Sequence, residues 1–239
     1  MSAFIPSDIS TFAFAGTILY VSYLCQRSFT NPAPVIKSPT DQDTWVSPAA
    51  GSRLIYLNLA NIGLIPLPGI WMALISLSQP SPPSSICPNL ENLNPDLFTW
   101  SRYMKVCMTL IVILGNIRLW CYRTLGQSFT FQLNAPAKLI TTGPYAYVQH
   151  PSYPTGLGCW FAMQCFLTRL DGVLGCWLPT GANQYANVAM MVNHAAWALI
   201  VYKTMGNRIR DEEKMLHREF GKEWEEWSQK TWRLIPLIY

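Results

Sequence analysis

The stretch ISTFAFAGTILYVSYLC, residues 9–25, runs for seventeen residues without a charged side chain. Its length approaches the roughly 20 apolar residues that an α-helix needs to cross a bilayer. Of all 239 residues, 50% are hydrophobic and 13% are charged, which is about half the charged share of a typical soluble domain. The charges also concentrate at the C-terminus, because eight of the 17 Lys/Arg residues lie from residue 203 onward. This composition predicts an all-α, polytopic membrane protein with a polar tail.

Four more segments have the apolar character of membrane spans: 53–78, 98–122, 154–178 and 186–205. The segment 154–178 is interrupted by RLDG at 169–172. We therefore expect a bundle of about five transmembrane helices, followed by a cytosolic amphipathic C-terminal helix. Pro66 and Pro68 interrupt the second segment, so the sequence leaves open whether it forms one kinked helix or two shorter ones.

Basic residues orient the predicted bundle. The loops 26–53 and 122–150 carry Arg27, Lys37, Arg53, Arg123 and Lys138, whereas the loops 79–101 and 170–185 carry no Lys or Arg. By the positive-inside rule, the basic loops and the tail lie in the cytosol, and the N-terminus lies on the lumenal side. The seven cysteines show no CxxC motif and no Cys/His cluster. We expect them to be small buried hydrophobic residues, and neither metal ligands nor disulfides.

Two polar stretches lie on the predicted cytosolic side. The first is GPYAYVQHPSYPTG (143–156), in which Pro151 should stiffen the loop and hold His150 out of helical geometry. The second is NRIRDEEKMLHREFGKEWEEW (207–227), whose apolar residues are spaced three or four apart and predict a helix. This spacing places Arg208 and Glu212 one turn apart, toward the apolar side and near the membrane, where ionisable groups are costly and commonly functional. On residue type alone, Arg208 and Glu212 also fit a surface ion pair, and His150 also fits a turn histidine that satisfies the backbone.

These two stretches resemble the isoprenylcysteine carboxyl methyltransferase family. The first is similar to that family's Arg-His-Pro-Ser-Tyr region. The second is similar to its C-terminal signature of an arginine, paired glutamates, Phe-Gly and spaced aromatic residues. LGQSFT (125–130) and RLIP (233–236) resemble the segments that flank them. The resemblance implies a membrane-embedded methyltransferase core in residues 98–239, preceded by membrane spans and loops in residues 1–97.

The resemblance also implies a reaction and a place for it. The methyl donor would be S-adenosylmethionine, without a metal, and the acceptor a C-terminal prenylcysteine carboxylate, carried by prenylated CaaX-type proteins or by small lipophilic carboxylates. The protein would be a multi-pass protein of the endoplasmic reticulum membrane with a cytosolic active site. Arg208 and Glu212 are the implied catalytic residues, and Tyr145 and Arg208 are implied to bind the acceptor. The implied cofactor-binding residues are Gln132, Leu139, Ile140, His150, Pro151, Ser152, Tyr153 and Glu212.

Three departures from the family pattern leave alternatives open. Gln149 stands where the family usually has arginine, Pro154 stands where an apolar residue is common, and the connection 169–186 is longer than the usual hairpin. One alternative is a related membrane methyltransferase that acts on a terpenoid acid or a lipid. Another is a non-catalytic membrane protein such as a carrier or scaffold. No basic run or motif indicates nucleic-acid binding, and no strand–helix alternation indicates a soluble Rossmann methyltransferase.

Overall fold

The computed structural model describes residues 9–30, 66–128, 136–179 and 183–237. Within these residues the secondary structure is helical, apart from turns and a single β-bridge between Val148 and Trp232. We label the helices α1 (Ile9–Phe29), α2 (Pro66–Leu77), α3 (Arg102–Leu125), α4 (Ser152–Gln164), α5 (Asn183–Phe220) and α6 (Lys222–Ser228). The predicted all-α class is confirmed for the part of the chain that the structure describes.

Two helical stretches in the described ranges are long and apolar enough to cross a membrane. They are α1 and Pro95–Leu125, which ends with α3, whereas α2 is apolar but shorter. Both match predicted spans, 9–25 and 98–122. Residues 53–65 lie outside the described residues, so the number of helices in the second predicted segment and the total of five spans stay predictions.

Helix α3 packs against both α1 and α4, and α1 also packs against α2. The core between them is apolar and includes the fully buried side chains of Phe14, Ile18, Met72, Ile111 and Phe166. The outward faces of α1 and α3 are apolar as well and are exposed, for example at Phe12, Leu19, Tyr23, Val106, Leu110, Ile113 and Trp120. Apolar residues on the inner and the outer face are typical of a helix that packs in a bundle and also faces lipid.

The two ends of α1 lie against different loops. At its start, the carbonyl oxygen of Ser10 accepts a 3.0 Å hydrogen bond from the Trp100 indole. At its other end, the carbonyl oxygen of Ser28 accepts from Arg118, which also reaches the start of α4 at Ser152. The loop before α3 and the loop before α4 therefore lie at opposite ends of the bundle, as the predicted topology requires.

A disulfide joins the loops at the Trp100 end of the bundle. It links Cys87 to Cys176, which are 89 positions apart in sequence, and Asn92 supports it by donating to the carbonyl oxygens of Gly175 and Leu178. The expectation that no cysteine forms a disulfide is therefore wrong for this pair, because only the folded chain brings the two loops together. The other five cysteines are free, and Cys25, Cys107, Cys121 and Cys159 are buried as expected.

The fourth and fifth predicted segments differ from the observed helices. The fourth segment is interrupted, as predicted, but its helix α4 already ends at Gln164, before the RLDG stretch (169–172) where the interruption was expected. Beyond the helix, Arg169 pairs with Asp171, and Val173–Trp177 then form a 3₁₀ turn. Helix α5 continues the fifth segment without a break into the polar tail. It stops only at Gly221, whose positive φ of 49° favours glycine and separates α5 from α6.

Candidate active site

The loop 143–151 connects the region after α3 to α4 and carries the first group of predicted site residues. It opens with the 3₁₀ turn Gly143–Ala146 and ends where Pro151 precedes the first residue of α4. His150 lies outside the helices, as predicted, and is 3% exposed. The second group lies in the last turns of α5, which therefore brings residues from the far end of the sequence against this loop.

Tyr153, His150 and Glu212 meet where the loop contacts α5. The Tyr153 hydroxyl donates a 2.7 Å hydrogen bond to Oε2 of Glu212. The same oxygen lies 3.8 Å from Nδ1 of His150, and the rings of His150 and Tyr153 pack edge to face at 5.8 Å. Burial raises the pKa of the Tyr153 hydroxyl, and the Glu212 carboxylate raises it further. Tyr153 therefore stays a protonated hydrogen-bond donor at neutral pH.

Arg208 and Tyr145 lie beside this group. The Arg208 guanidinium, one helical turn before Glu212, also hydrogen bonds with the Tyr153 side chain. Tyr145 is buried, and its pKa is raised chiefly by burial and also by the charge of Glu212. A cation and an anion thus flank one tyrosine, and a second tyrosine lies next to them. From the sequence, only the family resemblance indicated that Tyr145, Tyr153, Arg208 and Glu212 belong to one site.

Glu213 and Arg233 belong to the same cluster, although neither is among the predicted site residues. Oε1 of Glu213 lies 3.2 Å from Nε2 of His150, and Arg233 donates to both carboxylate oxygens of Glu213, at 2.6 and 2.8 Å. Burial acts to raise the pKa of Glu213, but the hydrogen bonds from His150 and Arg233 outweigh it and lower the pKa to about 2. Helical spacing could not reveal this role, because neighbouring residues on a helix point about 100° apart. Glu212 faces Nδ1 of the His150 ring and Glu213 faces Nε2, so both glutamates lie next to the same histidine.

The C-terminal segment pairs with the loop through its backbone. Val148 and Trp232 form a parallel bridge, the Gln149 amide donates to the Trp232 carbonyl at 2.7 Å, and the His150 amide donates to the Arg233 carbonyl at 3.0 Å. The Trp227 indole adds a 2.9 Å bond to the Tyr145 carbonyl. We call residues 231–233 the C-terminal strap. It fixes the loop just before the residues that contact Glu212 and Glu213.

The structure accounts for two of the departures from the family pattern. The Gln149 side chain donates to the carbonyl oxygens of Ser228 and Thr231, at 2.9 and 3.1 Å. It holds the strap, while Arg233 places a cation beside His150. Pro154 lies in the first turn of α4, where a proline removes no helical hydrogen bond.

The remaining predicted residues lie in different places. Pro151 is buried and Ser152 is half-buried at the start of α4, next to His150 and Tyr153. Leu139 and Ile140 are half-buried in the segment before the loop, and the structure shows no contact that joins them to Glu212 in the described part of the chain. Gln132 lies outside the described residues. Groups of three or more His, Cys, Asp or Glu side chains suited to a metal ion do not occur among the residues described.

Residues 107–218 match the model of the isoprenylcysteine carboxyl methyltransferase (ICMT) family, nearly half of the chain. The matched segment contains α3, the loop and the α5 residues of the site. Over this segment, the chain is similar to the ICMT family. The resemblance inferred from the two motifs is thereby confirmed.

Named methyltransferases from plants and fungi are similar over the same region. A probable protein-S-isoprenylcysteine O-methyltransferase of Oryza sativa subsp. indica is 26% identical over 150 residues, which cover 61% of this chain and 68% of that protein. The protein-S-isoprenylcysteine O-methyltransferase of Saccharomyces cerevisiae is 30% identical over 157 residues, 61% of this chain and 56% of the yeast protein. The protein-S-isoprenylcysteine O-methyltransferase of Schizosaccharomyces pombe is 28% identical over 145 residues, which cover 59% of this chain and 52% of that protein. This chain thus spans between about half and two thirds of the length of these relatives.

Proposed function

We propose that this protein, whose residues 107–218 are similar to the ICMT family, transfers a methyl group from S-adenosylmethionine to the C-terminal carboxylate of a prenylated cysteine at the membrane. The observation that carries the proposal is the contact of His150 and Tyr153 with Glu212, inside the segment that matches the family. The relatives that match this segment carry the name of that reaction. We place the active unit in residues 98–239, with residues 1–97 as supporting spans and loops.

The donor set fits S-adenosylmethionine, which supplies an electrophilic methyl group on a sulfonium cation when it is bound. Glu212 is 30% exposed, so its carboxylate can receive positively charged groups of the donor. Tyr153 and His150 provide hydrogen-bonding and aromatic surface beside it. The strap and Pro151 hold these side chains before any ligand arrives, which lowers the entropic cost of binding. Leu139, Ile140 and Gln132 are proposed to complete the adenosine side.

Arg208 is proposed to hold the acceptor carboxylate. A C-terminal carboxyl group has an unperturbed pKa of about 3.5, so it is ionised at neutral pH and needs no general base. What the reaction needs is orientation of that anion toward the methyl carbon. The guanidinium of Arg208 supplies parallel hydrogen-bond donors for a carboxylate, and Tyr145 lies beside it as packing surface. An amine acceptor carries no negative charge that the Arg208 guanidinium could bind.

The membrane location follows from the prenyl group. Each buried CH₂ contributes about 0.8 kcal/mol, so a long isoprenoid stays in lipid rather than in water. An enzyme embedded in the bilayer meets this acceptor without extracting it. The exposed apolar faces of α1 and α3 would let the prenyl chain approach from the lipid.

We further propose an endoplasmic reticulum location with five spans, in which the active site is cytosolic. The Cys87–Cys176 disulfide supports the orientation, because disulfides persist in oxidising compartments such as the endoplasmic reticulum lumen. Cys87 lies in a loop that carries no Lys or Arg, and the single arginine in the loop of Cys176, Arg169, is paired with Asp171. Both loops lie at the end of the bundle away from Ser152. The polar tail then lies on the cytosolic side together with the loop 143–151.

The test is an acceptor panel with purified protein in detergent. Radiolabelled methyl transfer from S-adenosylmethionine is measured with N-acetyl-S-farnesylcysteine, with a terpenoid acid and with a phospholipid amine. We expect turnover with the farnesylcysteine, and its methyl ester should be inert because the acceptor oxygen is already blocked. Turnover only with another acceptor would indicate the related methyltransferase. Failure to bind S-adenosylmethionine at all would indicate a non-catalytic protein.

A further inference from the structure

Arg118 is a buried arginine between α1, α3 and α4, near the end of the bundle where α4 begins, and neither proposed substrate gives it a role. It is 7% exposed and lies on α3, inside a stretch long and apolar enough to span a membrane. Holding an arginine in such a place is costly unless its donors are satisfied. The hydrogen-bond partners of Arg118 therefore indicate its structural role.

The Arg118 guanidinium joins the ends of two other helices. Its Nε donates a 2.7 Å hydrogen bond to the carbonyl oxygen of Ser28 in the last turn of α1, where the helix dipole favours a cation. Its Nη1 donates to the carbonyl oxygen of Ser152 and lies 3.3 Å from the Ser152 hydroxyl. The plane of the guanidinium also packs over the rings of Phe29 and Tyr122, at 5.7 and 5.2 Å. One side chain thus connects α1, α3 and α4.

Gly156 makes this connection possible. A Cβ atom at Gly156 would overlap the Arg118 guanidinium. The absence of a side chain at this position therefore lets the arginine approach the first turn of α4. Gly158, two residues later, offers a contrast. A Cβ there would lie 2.6 Å from Cδ1 of Leu114, the far end of a flexible side chain that can move aside.

We propose that Arg118 is a positioning residue for the methyl-donor site. Ser152 lies between His150 and Tyr153, so the atom that Arg118 holds belongs to the backbone that carries both side chains to Glu212. Through Ser28, the same guanidinium makes the position of that backbone depend on α1, which lies outside the family-matched segment. The proposal rests on the proposed function for its effect on S-adenosylmethionine, but the mechanical link between α1 and α4 stands without it.

The experiment compares Arg118→Lys and Gly156→Ala with two matched controls. In Arg118→Lys, lysine keeps the positive charge but lacks the planar guanidinium that donates to two carbonyl groups. In Gly156→Ala, Arg118 is retained but the new methyl group displaces its guanidinium. The controls are Arg123→Lys, at an exposed position on the same helix, and Gly158→Ala. Amide hydrogen exchange is measured first, without a ligand, on all four variants.

We expect Arg118→Lys and Gly156→Ala to speed exchange at two places together, the last turn of α1 and the first turn of α4. We also expect the KM for S-adenosylmethionine to rise by about 10-fold, as loss of a charge-assisted hydrogen bond predicts. The KM for the farnesylcysteine acceptor should change less than about twofold. The controls should match the wild type in every readout.

Unchanged exchange at both places, or an unchanged donor KM in an active enzyme, would overturn the proposal. Equal rises in the KM values of donor and acceptor would also overturn it, because they indicate general loss of structure. If Arg118→Lys does not fold, Gly156→Ala decides the question. Absence of methyl transfer by the wild type would refute the proposed function instead, and the exchange result would still test the link.

Discussion

At the scale of single residues, Glu212 and Arg208 have opposite charges and contact the same tyrosine, Tyr153. We propose that they divide the two substrates between them. Glu212→Ala should raise the KM for S-adenosylmethionine by roughly 10-fold or more, because a charged hydrogen-bonding partner is lost. Arg208→Ala should instead raise the KM for the prenylcysteine acceptor. Steady-state kinetics with each substrate varied in turn measures the split.

Asp211→Ala is the matched control for this pair, because Asp211 is exposed on the same helix and should leave both constants unchanged. Equal losses toward donor and acceptor in both variants would contradict the division of roles.

Glu213 makes the stability of the folded protein depend on pH. Its pKa is lowered from 4.5 to about 2 by His150 and Arg233, against the effect of burial. A carboxyl group with a lowered pKa stabilises the fold above its unfolded pKa, and this stability is lost as the pH falls through the folded value. The stability difference between wild type and Glu213→Gln should therefore be full above about pH 4.5 and shrink as the pH falls toward 2. Thermal unfolding in detergent between pH 7 and 3 measures it.

The exposed Glu219 on the same helix supplies the control. Glu219→Gln should unfold like the wild type throughout this pH range. A difference between wild type and Glu213→Gln that stays constant from pH 7 to 3 would contradict the account of Glu213.

At the scale of elements, the C-terminal strap depends on the Gln149 side chain, which donates to two carbonyl oxygens of the tail. Gln149→Leu leaves both carbonyl groups without this donor and should destabilise the protein by about 1–3 kcal/mol. Gln149→Arg keeps donors at the same position and should lose less. Thermal unfolding of both variants measures the effect, with the exposed Gln229→Leu as control. Equal stability of Gln149→Leu and wild type would show that the side chain does not hold the strap.

The elements show where sequence reasoning succeeds and where it ends. Hydrophobic runs predicted α1 and α3 within a few residues, because a membrane span has a length and an apolar composition that single residues reveal. The interruption of the fourth segment was predicted at RLDG (169–172), but the end of α4 at Gln164 was not. The chain beyond α4 is held by tertiary contacts such as the hydrogen bond from the Asn94 amide to the Asp171 carbonyl oxygen, which the sequence does not reveal. The strap was missed because three residues of backbone pairing leave no periodic pattern.

The candidate site shows the same limit. The family resemblance indicated His150, Arg208 and Glu212, and helical spacing placed the last two one turn apart. A role for Glu213 or Arg233 requires knowing which loop α5 packs against. Periodicity gives the face of a helix and not its partner. Arg233 was noted within RLIP, and only the fold connects it to His150 through Glu213.

At the scale of the whole molecule, the disulfide and the site mark opposite ends of the bundle. In sealed microsomes that have been treated with a membrane-permeant reductant, an impermeant maleimide should label Cys87 and Cys176 only after the membrane is opened. Cys87→Ser and Cys176→Ser should each lower stability by about 2–5 kcal/mol, and the double variant should be no worse than either, because one bond is lost in all three. Cys165→Ser, at a free cysteine, is the control. Labelling of the pair in intact microsomes would contradict the proposed orientation.

The central claim is that residues distant in sequence, on the loop and on α5, form one site that binds the methyl donor. A double-mutant cycle of Tyr153→Phe and Glu212→Ala tests it most directly, with S-adenosylmethionine affinity measured by calorimetry and methyl transfer to N-acetyl-S-farnesylcysteine measured in parallel. Because the Tyr153 hydroxyl donates to Glu212, we predict that the two substitutions are non-additive, with a coupling of about 0.5–3 kcal/mol in both readouts. Additive effects, or a wild-type protein that neither binds the donor nor transfers the methyl group, would contradict the claim.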